Sequence, residues 1–87
     1  VKWTLYFARS AQKDARKLAA ANLKEQAQAL LEVLGADPFQ SPPPFEKLVG
    51  DLSGCYSRRI NIQHRLVYQV DVEKHEVRVL RMWSHYD

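Results

Sequence analysis

Four side chains of this 87-residue chain, Glu46, Arg59, Arg65 and His85, are of types that could together break a phosphodiester bond. RNA cleavage without a metal needs an acid-base pair flanking a cationic clamp. A base takes the proton from the ribose 2′-OH, which attacks the adjacent phosphorus. Cations stabilise the charge of the phosphorane-like transition state, and an acid protonates the departing 5′-oxygen. Histidine exchanges a proton near neutral pH with little tuning, and guanidinium groups offer phosphate a fork of donors. Taken singly, each residue has a plainer reading as solvated surface or as half of an exposed ion pair.

The distribution of charge weakens that plainer reading. No Asp or Glu occurs from Leu52 to Val70, a stretch that carries Arg58, Arg59 and Arg65. Arg78 and Arg81 follow, whereas Asp14, Glu25, Glu32 and Asp37 sit in the first half. A net charge of +3 and a pI near 9.2 are only mildly basic. The expectation of an anionic partner therefore rests on clustering, not on the total. Trp83 and Tyr86 have the chemistry to stack on bases, with core or dimer contact as their other use. His64 is expected to hold a turn by hydrogen bonding, and His75 to be inert in a polar turn.

Other chemistries find no support. The single cysteine, Cys55, excludes an internal disulfide, fits a reducing cytoplasm and reads as a small half-buried apolar group. There is no CxxC, HExxH or phosphate-cradling glycine loop, so neither metal nor cofactor is expected. No apolar run is long enough to span a membrane, and no signal-peptide pattern opens the chain.

The elements that must position these groups follow from local pattern. "VKWTLYF" alternates, with Val1, Trp3, Leu5 and Phe7 on one side of a strand and Lys2, Thr4 and Tyr6 on the other. Ser10 is a candidate N-cap for a helix running to about Ala21. "NLKE", Asn22 to Glu25, has the spacing of a cap that starts a second helix, with Gly35 as its C′ residue. "ADPFQSPPPF" reads as a stiff, extended surface connection, because proline lacks a donor and restricts its predecessor. A short strand "FEKLV" and a turn "GDLSG" come next. Three strands then follow at Cys55–Ile62, Arg65–Val72 and Val77–Tyr86. The order predicts one α+β domain over residues 1–87 in two layers: an N-terminal strand, a two-helix hairpin, then an antiparallel β-meander.

Alternation along the last three strands sorts their side chains. Tyr56, Ile60, Ile62, Leu66, Tyr68, Val70, Val72, Leu80 and Met82 form the expected core set. Ser57, Arg59, Arg65, Val67, Gln69, Arg81, Trp83 and His85 form the open face. Arg58 and Arg78 fall on the core side by parity and must snorkel or find a partner.

"FEKLVGDLSGCYSRRINIQHRLVYQV" together with the terminal "SHY" closely resembles the YoeB/Txe branch of the RelE-like toxins of bacterial type II toxin–antitoxin systems. The resemblance rests on Glu46, on "LSG" (Leu52 to Gly54), "SRRI" (Ser57 to Ile60), "HRLVY" (His64 to Tyr68) and the His85-Tyr86 ending. From Glu46 onward it is specific; before that it covers only layout and "DPF". It implies a RelE-like two-layer fold and a ribosome-dependent mRNA endonuclease that needs no metal. By position, Glu46 would be the general base, Arg65 the phosphate clamp and His85 the general acid. Arg59 would help bind phosphate, and Tyr86 would position RNA. It also implies a complex with a partly disordered antitoxin of the Phd/YefM type and homodimer formation. Val49 stands where the family often has lysine, and Lys47 is the candidate substitute for phosphate binding. Two other readings predict different behaviour: a ParE-like inhibitor of DNA gyrase, and a ribosome- or RNA-binding module that does not cut.

Overall fold

The structure is a computed structural model that describes residues 2–42, 44–48 and 54–83. It opens on strand β1 (Thr4–Phe7), followed by helices α1 (Arg9–Ala20) and α2 (Lys24–Ala36). Strands β2 (Glu46–Lys47), β3 (Cys55–Arg59), β4 (Arg65–Asp71) and β5 (Glu76–Arg81) complete it. The sheet has the order β1-β5-β4-β3-β2. β2 to β5 form the expected antiparallel meander, and β1 joins its far edge parallel to β5. A parallel neighbour requires a crossover, and the helix hairpin is that crossover.

The helices lie over β1 and β5, and the core forms between them and the sheet. Leu18, Ala27, Leu30 and Leu34 meet Leu66, Tyr68, Val77, Val79 and Met82 there. The opposite face has a smaller apolar cluster of Leu48, Cys55 and Val67, with Leu80 packed against it. Burial pushes the Cys55 thiol pKa up, which keeps it an unreactive apolar filler.

Local chemistry differs from expectation at the helix ends. Ser10 lies inside α1, whose N-cap is Ala8 without a side-chain cap bond. Asn22 closes α1; it does not open α2. Its φ of +61° is left-handed. The Asn22 amide donates to the Ala19 carbonyl (3.3 Å) and the Leu23 amide to that of Leu18 (2.9 Å). Those two bonds make a Schellman ending, for which asparagine is a tolerated C′ residue. Gly35 is within α2, which runs one residue further to Ala36. Asp37 then stops the chain in extended geometry, its Oδ1 accepting the Phe39 amide at 3.0 Å.

The proline-rich connection is not simply a surface tether. Pro38 is fully buried, and Phe39 and Phe45 pack edge-on against Tyr56 at 5.5 and 5.8 Å. This segment covers part of the sheet beyond the helices. The turns also correct the expected core: Ile62 is 93% exposed and Val72 63%, because both fall just past strand ends. His75 is not inert. It sits at φ +59°, stacks on Trp3 at 3.8 Å, and its carbonyl accepts the Thr4 amide, tying the last hairpin to β1.

Candidate active site

β2 is short, but its register decides the site. Glu46 pairs with Ser57 and Lys47 with Tyr56 across an antiparallel ladder. Ser57 in turn pairs with Val67, and Arg59 stands opposite Arg65 across β3 and β4. Residues opposite one another share a face, so Glu46, Ser57, Arg59 and Arg65 converge. They line an open basin of about 280 Å³, walled on its remaining side by Pro44 and Phe45.

Across that basin the Arg65 Nη1 donates to Glu46 Oε2 at 3.4 Å. The contact is long and the carboxylate largely exposed, so it stabilises the fold by about 0–1 kcal/mol. Arg59 and Arg65, placed directly opposite, repel one another unless an anion lies between them. Ser57 forms a buried floor. The arrangement can bind a phosphate between two guanidinium groups and set a carboxylate beside it. Glu46 thus stands beside Arg65, with Arg59 across the ladder from it. Ser57, Pro44 and Phe45 were not singled out from sequence as basin walls; the register of Glu46 on Ser57 is the signal that finds them.

Three expected members stand elsewhere. Lys47, opposite Tyr56, takes the other side of β2 from Glu46 and does not line the basin. Arg81 does not join the open face. Its Nε donates to Asp14 Oδ2 of α1 at 2.8 Å, and the Met82 amide donates to the same oxygen at 3.0 Å. Trp83 packs against the helix-side core, and the His64 ring stacks on it at 4.0 Å. Arg78, assigned to the core by parity, is exposed on the opposite face. β5 carries apolar residues toward both faces, with Val77 and Val79 in the helix-side core and Leu80 packed against the second cluster. An irregularity in its pairing at Val67 and Tyr68 shifts the count further. His85, Tyr86 and Val49 lie outside the described residues.

His64 holds its turn as expected. Its amide donates to Asn61 Oδ1 at 2.7 Å, and its carbonyl accepts the Ile60 amide at 2.9 Å. Its ring also bonds the Trp83 carbonyl at 2.8 Å. A carbonyl only accepts, so Nδ1 carries a proton. This fastens Trp83 to the residue preceding Arg65.

Burial works to raise the Asp14 pKa. The Arg81 hydrogen bond, the Met82 amide and the charges of Arg81 and Lys17 outweigh it, holding the carboxyl below the ordinary 3.8. A depressed folded-state pKa stabilises the fold where the group is ionised, above about 3.8, and loses that contribution as pH falls through the folded value. Thermal melts should therefore show an acid-side loss of stability below about pH 4 that is reduced in Asp14→Asn. An unchanged acid limb in that variant would show that other carboxylates govern it.

Comparison with known proteins agrees with this architecture. A toxin YoeB of Mycobacterium bovis is 42% identical over 57 residues, which are 66% of this chain and 65% of that protein. The match thus spans a little under two-thirds of that relative's length. Among solved structures, a YoeB/ParE toxin from Agrobacterium tumefaciens superposes with a TM-score of 0.86 at 29% identity, covering 95% of this chain and 99% of its own. A YoeB–YefM complex from Staphylococcus aureus gives 0.81 at 29% identity, covering 99% and 100%. The helix hairpin over an open mixed sheet is thus the α+β fold of these solved toxins. More narrowly, residues 7–86 match the family described as "YoeB-like toxin of bacterial type II toxin-antitoxin system", and the chain belongs to that family.

Proposed function

We propose that this chain, acting as a single domain, is a ribosome-dependent endoribonuclease that cuts mRNA through attack by the ribose 2′-OH. The observation that carries the reading is the 3.4 Å approach of Glu46 and Arg65 over a basin shared with Arg59. Glu46 takes the 2′-OH proton as the oxygen bonds to phosphorus. Arg65, assisted by Arg59, holds the phosphate and offsets the charge that builds on its oxygens. The bond to the 5′-oxygen breaks, and His85 supplies that oxygen with a proton. The products are a 2′,3′-cyclic phosphate and a 5′-hydroxyl. Tyr86 positions the RNA at the carboxy-terminal end. Binding substrate requires Arg65 to exchange Glu46 for phosphate, and the weakness of their contact makes the exchange inexpensive.

In this reading the toxin works in the cytoplasm, where translating ribosomes are. It is held inactive by an antitoxin of the Phd/YefM type, as its S. aureus relative is found with YefM. Homodimers or toxin–antitoxin hetero-oligomers are the expected assemblies. Brief expression followed by mapping of mRNA 5′ ends tests the function. New ends inside translated regions are expected. Arrested translation without new ends would indicate a binding module, and blocked gyrase supercoiling with intact translation would indicate a ParE-like action.

A further inference from the structure

β2 is only two residues long and lies at the sheet edge, so its ladder alone is a poor mount for a reacting carboxylate. Something else must hold the chain that enters it. From the occupancy of that region we infer that Arg58 is the positioning residue for Glu46, an inference that rests on the endonuclease reading.

Arg58 lies on β3 between Ser57 and Arg59, but strand alternation sends it to the opposite face from those two basin residues. Its side chain is buried, at 1% exposure. Nη2 donates to the carbonyls of Pro38 (3.0 Å) and Gln40 (2.8 Å), and Nε donates to the Tyr68 hydroxyl (3.2 Å). That hydroxyl donates to the same Pro38 carbonyl at 3.0 Å. Burial raises the Tyr68 pKa against the opposing pull of Arg58, so the phenol keeps the proton it donates. The guanidinium carbon also sits 4.9 Å from the centre of the Phe45 ring, the residue immediately before Glu46 and a wall of the basin.

Burying a guanidinium is costly, and backbone carbonyls with ring faces offset that cost only in a fixed geometry. A planar fork can bridge two carbonyls and a hydroxyl at once. A lysine ammonium cannot reproduce that arrangement. Arg58 thus clamps both ends of the connection from Pro38 to Phe45 and sets where Glu46 leaves it. Adjacent arginines of "SRRI" divide the work: Arg59 faces the phosphate and Arg58 holds the base in place from behind.

The test is a double-mutant cycle in ribosome-bound mRNA cleavage, using toxin released from its antitoxin complex. Arg58→Lys should lower the rate at saturating ribosomes by about 10- to 100-fold, with the half-saturating ribosome concentration and the circular dichroism spectrum nearly unchanged. In a Glu46→Gln background, Arg58→Lys should add almost nothing, because the group it positions is already gone. Phe45→Leu keeps Arg58 and its carbonyl bonds, removes only the ring that faces the guanidinium beside Glu46, and serves if Arg58→Lys does not fold. Losses that multiply in the double variant would overturn the positioning role while leaving the endonuclease reading standing. A fully active Glu46→Gln would also overturn that role, by removing the carboxylate from the mechanism, whereas wild-type toxin that leaves ribosome-bound mRNA uncut would overturn the endonuclease reading itself.

Discussion

Replacing Glu46 by glutamine is expected to slow mRNA cleavage on the ribosome by about 10²- to 10⁴-fold, the usual contribution of a positioned general base. The substitution keeps the shape and removes the proton acceptor. Stability should barely move, since Glu46 lies on an exposed edge strand and its ion pair with Arg65 is worth at most about 1 kcal/mol. Ribosome association should persist, because the two arginines that line the basin are untouched. Arg65→Ala should produce a comparable loss for a different reason: the charge developing on phosphorus loses its nearest cation. Single-turnover cleavage, thermal melts and ribosome pelleting on the same preparations separate these effects. A Glu46→Gln protein that cuts at the wild-type rate would remove the carboxylate from the mechanism.

The largest effect on stability is expected at Asp14, on the opposite side of the sheet. Its side chain is 3% exposed and serves two donors, the Arg81 guanidinium and the Met82 amide. Asp14→Ala leaves the Met82 amide buried without that acceptor, at a cost of about 1–3 kcal/mol. Arg81 is different, because its side chain is 50% exposed and can return to water. The charge left behind is therefore not trapped, and the full penalty of a broken buried pair does not apply. A total near 2 kcal/mol corresponds to a drop in Tm of about 8–16 °C in a domain of this size. Arg81→Ala should cost less. A change of under about 2 °C for Asp14→Ala would show that the contact contributes little.

Much of the architecture was legible because each segment carries one dominant signal. The alternation of "VKWTLYF", the helical spacing of Leu23, Ala27, Leu30 and Leu34, and the proline tract each point to one local structure. The boundaries were less legible where one residue suits two roles. Asn22 has the chemistry of a helix start and of a left-handed stop, and the amide bonds to Ala19 and Leu18 decide for the stop. Strand β5 misled the count of faces because Val77, Val79 and Leu80 are all apolar although Val77 and Val79 belong to the main core and Leu80 packs against the second cluster.

The same ambiguity governed the site. Arg59 and Arg65 were legible as neighbours because β3 and β4 alternate clearly and pair as a hairpin, whereas the place of Glu46 beside them depends on the pairing of two-residue β2 with Ser57. Arg81 looked equivalent, but its partner Asp14 is 67 residues away in sequence, and nothing local announces that pairing. Arg58 showed only that it had to snorkel to an edge or find a partner. Its recruitment of the Pro38 and Gln40 carbonyls depends on how the proline segment folds back over the sheet.

The chemistry of the RNA ends left by purified toxin on translating ribosomes tests the central claim most directly. Attack by the adjacent 2′-OH must leave a 2′,3′-cyclic phosphate upstream of the cut and a free 5′-hydroxyl downstream, so the downstream fragments accept label from a polynucleotide kinase without prior phosphatase treatment. Fragments that begin with a 5′-phosphate and end in a 3′-hydroxyl would contradict the account, because a water molecule, not the ribose, would then have been the nucleophile.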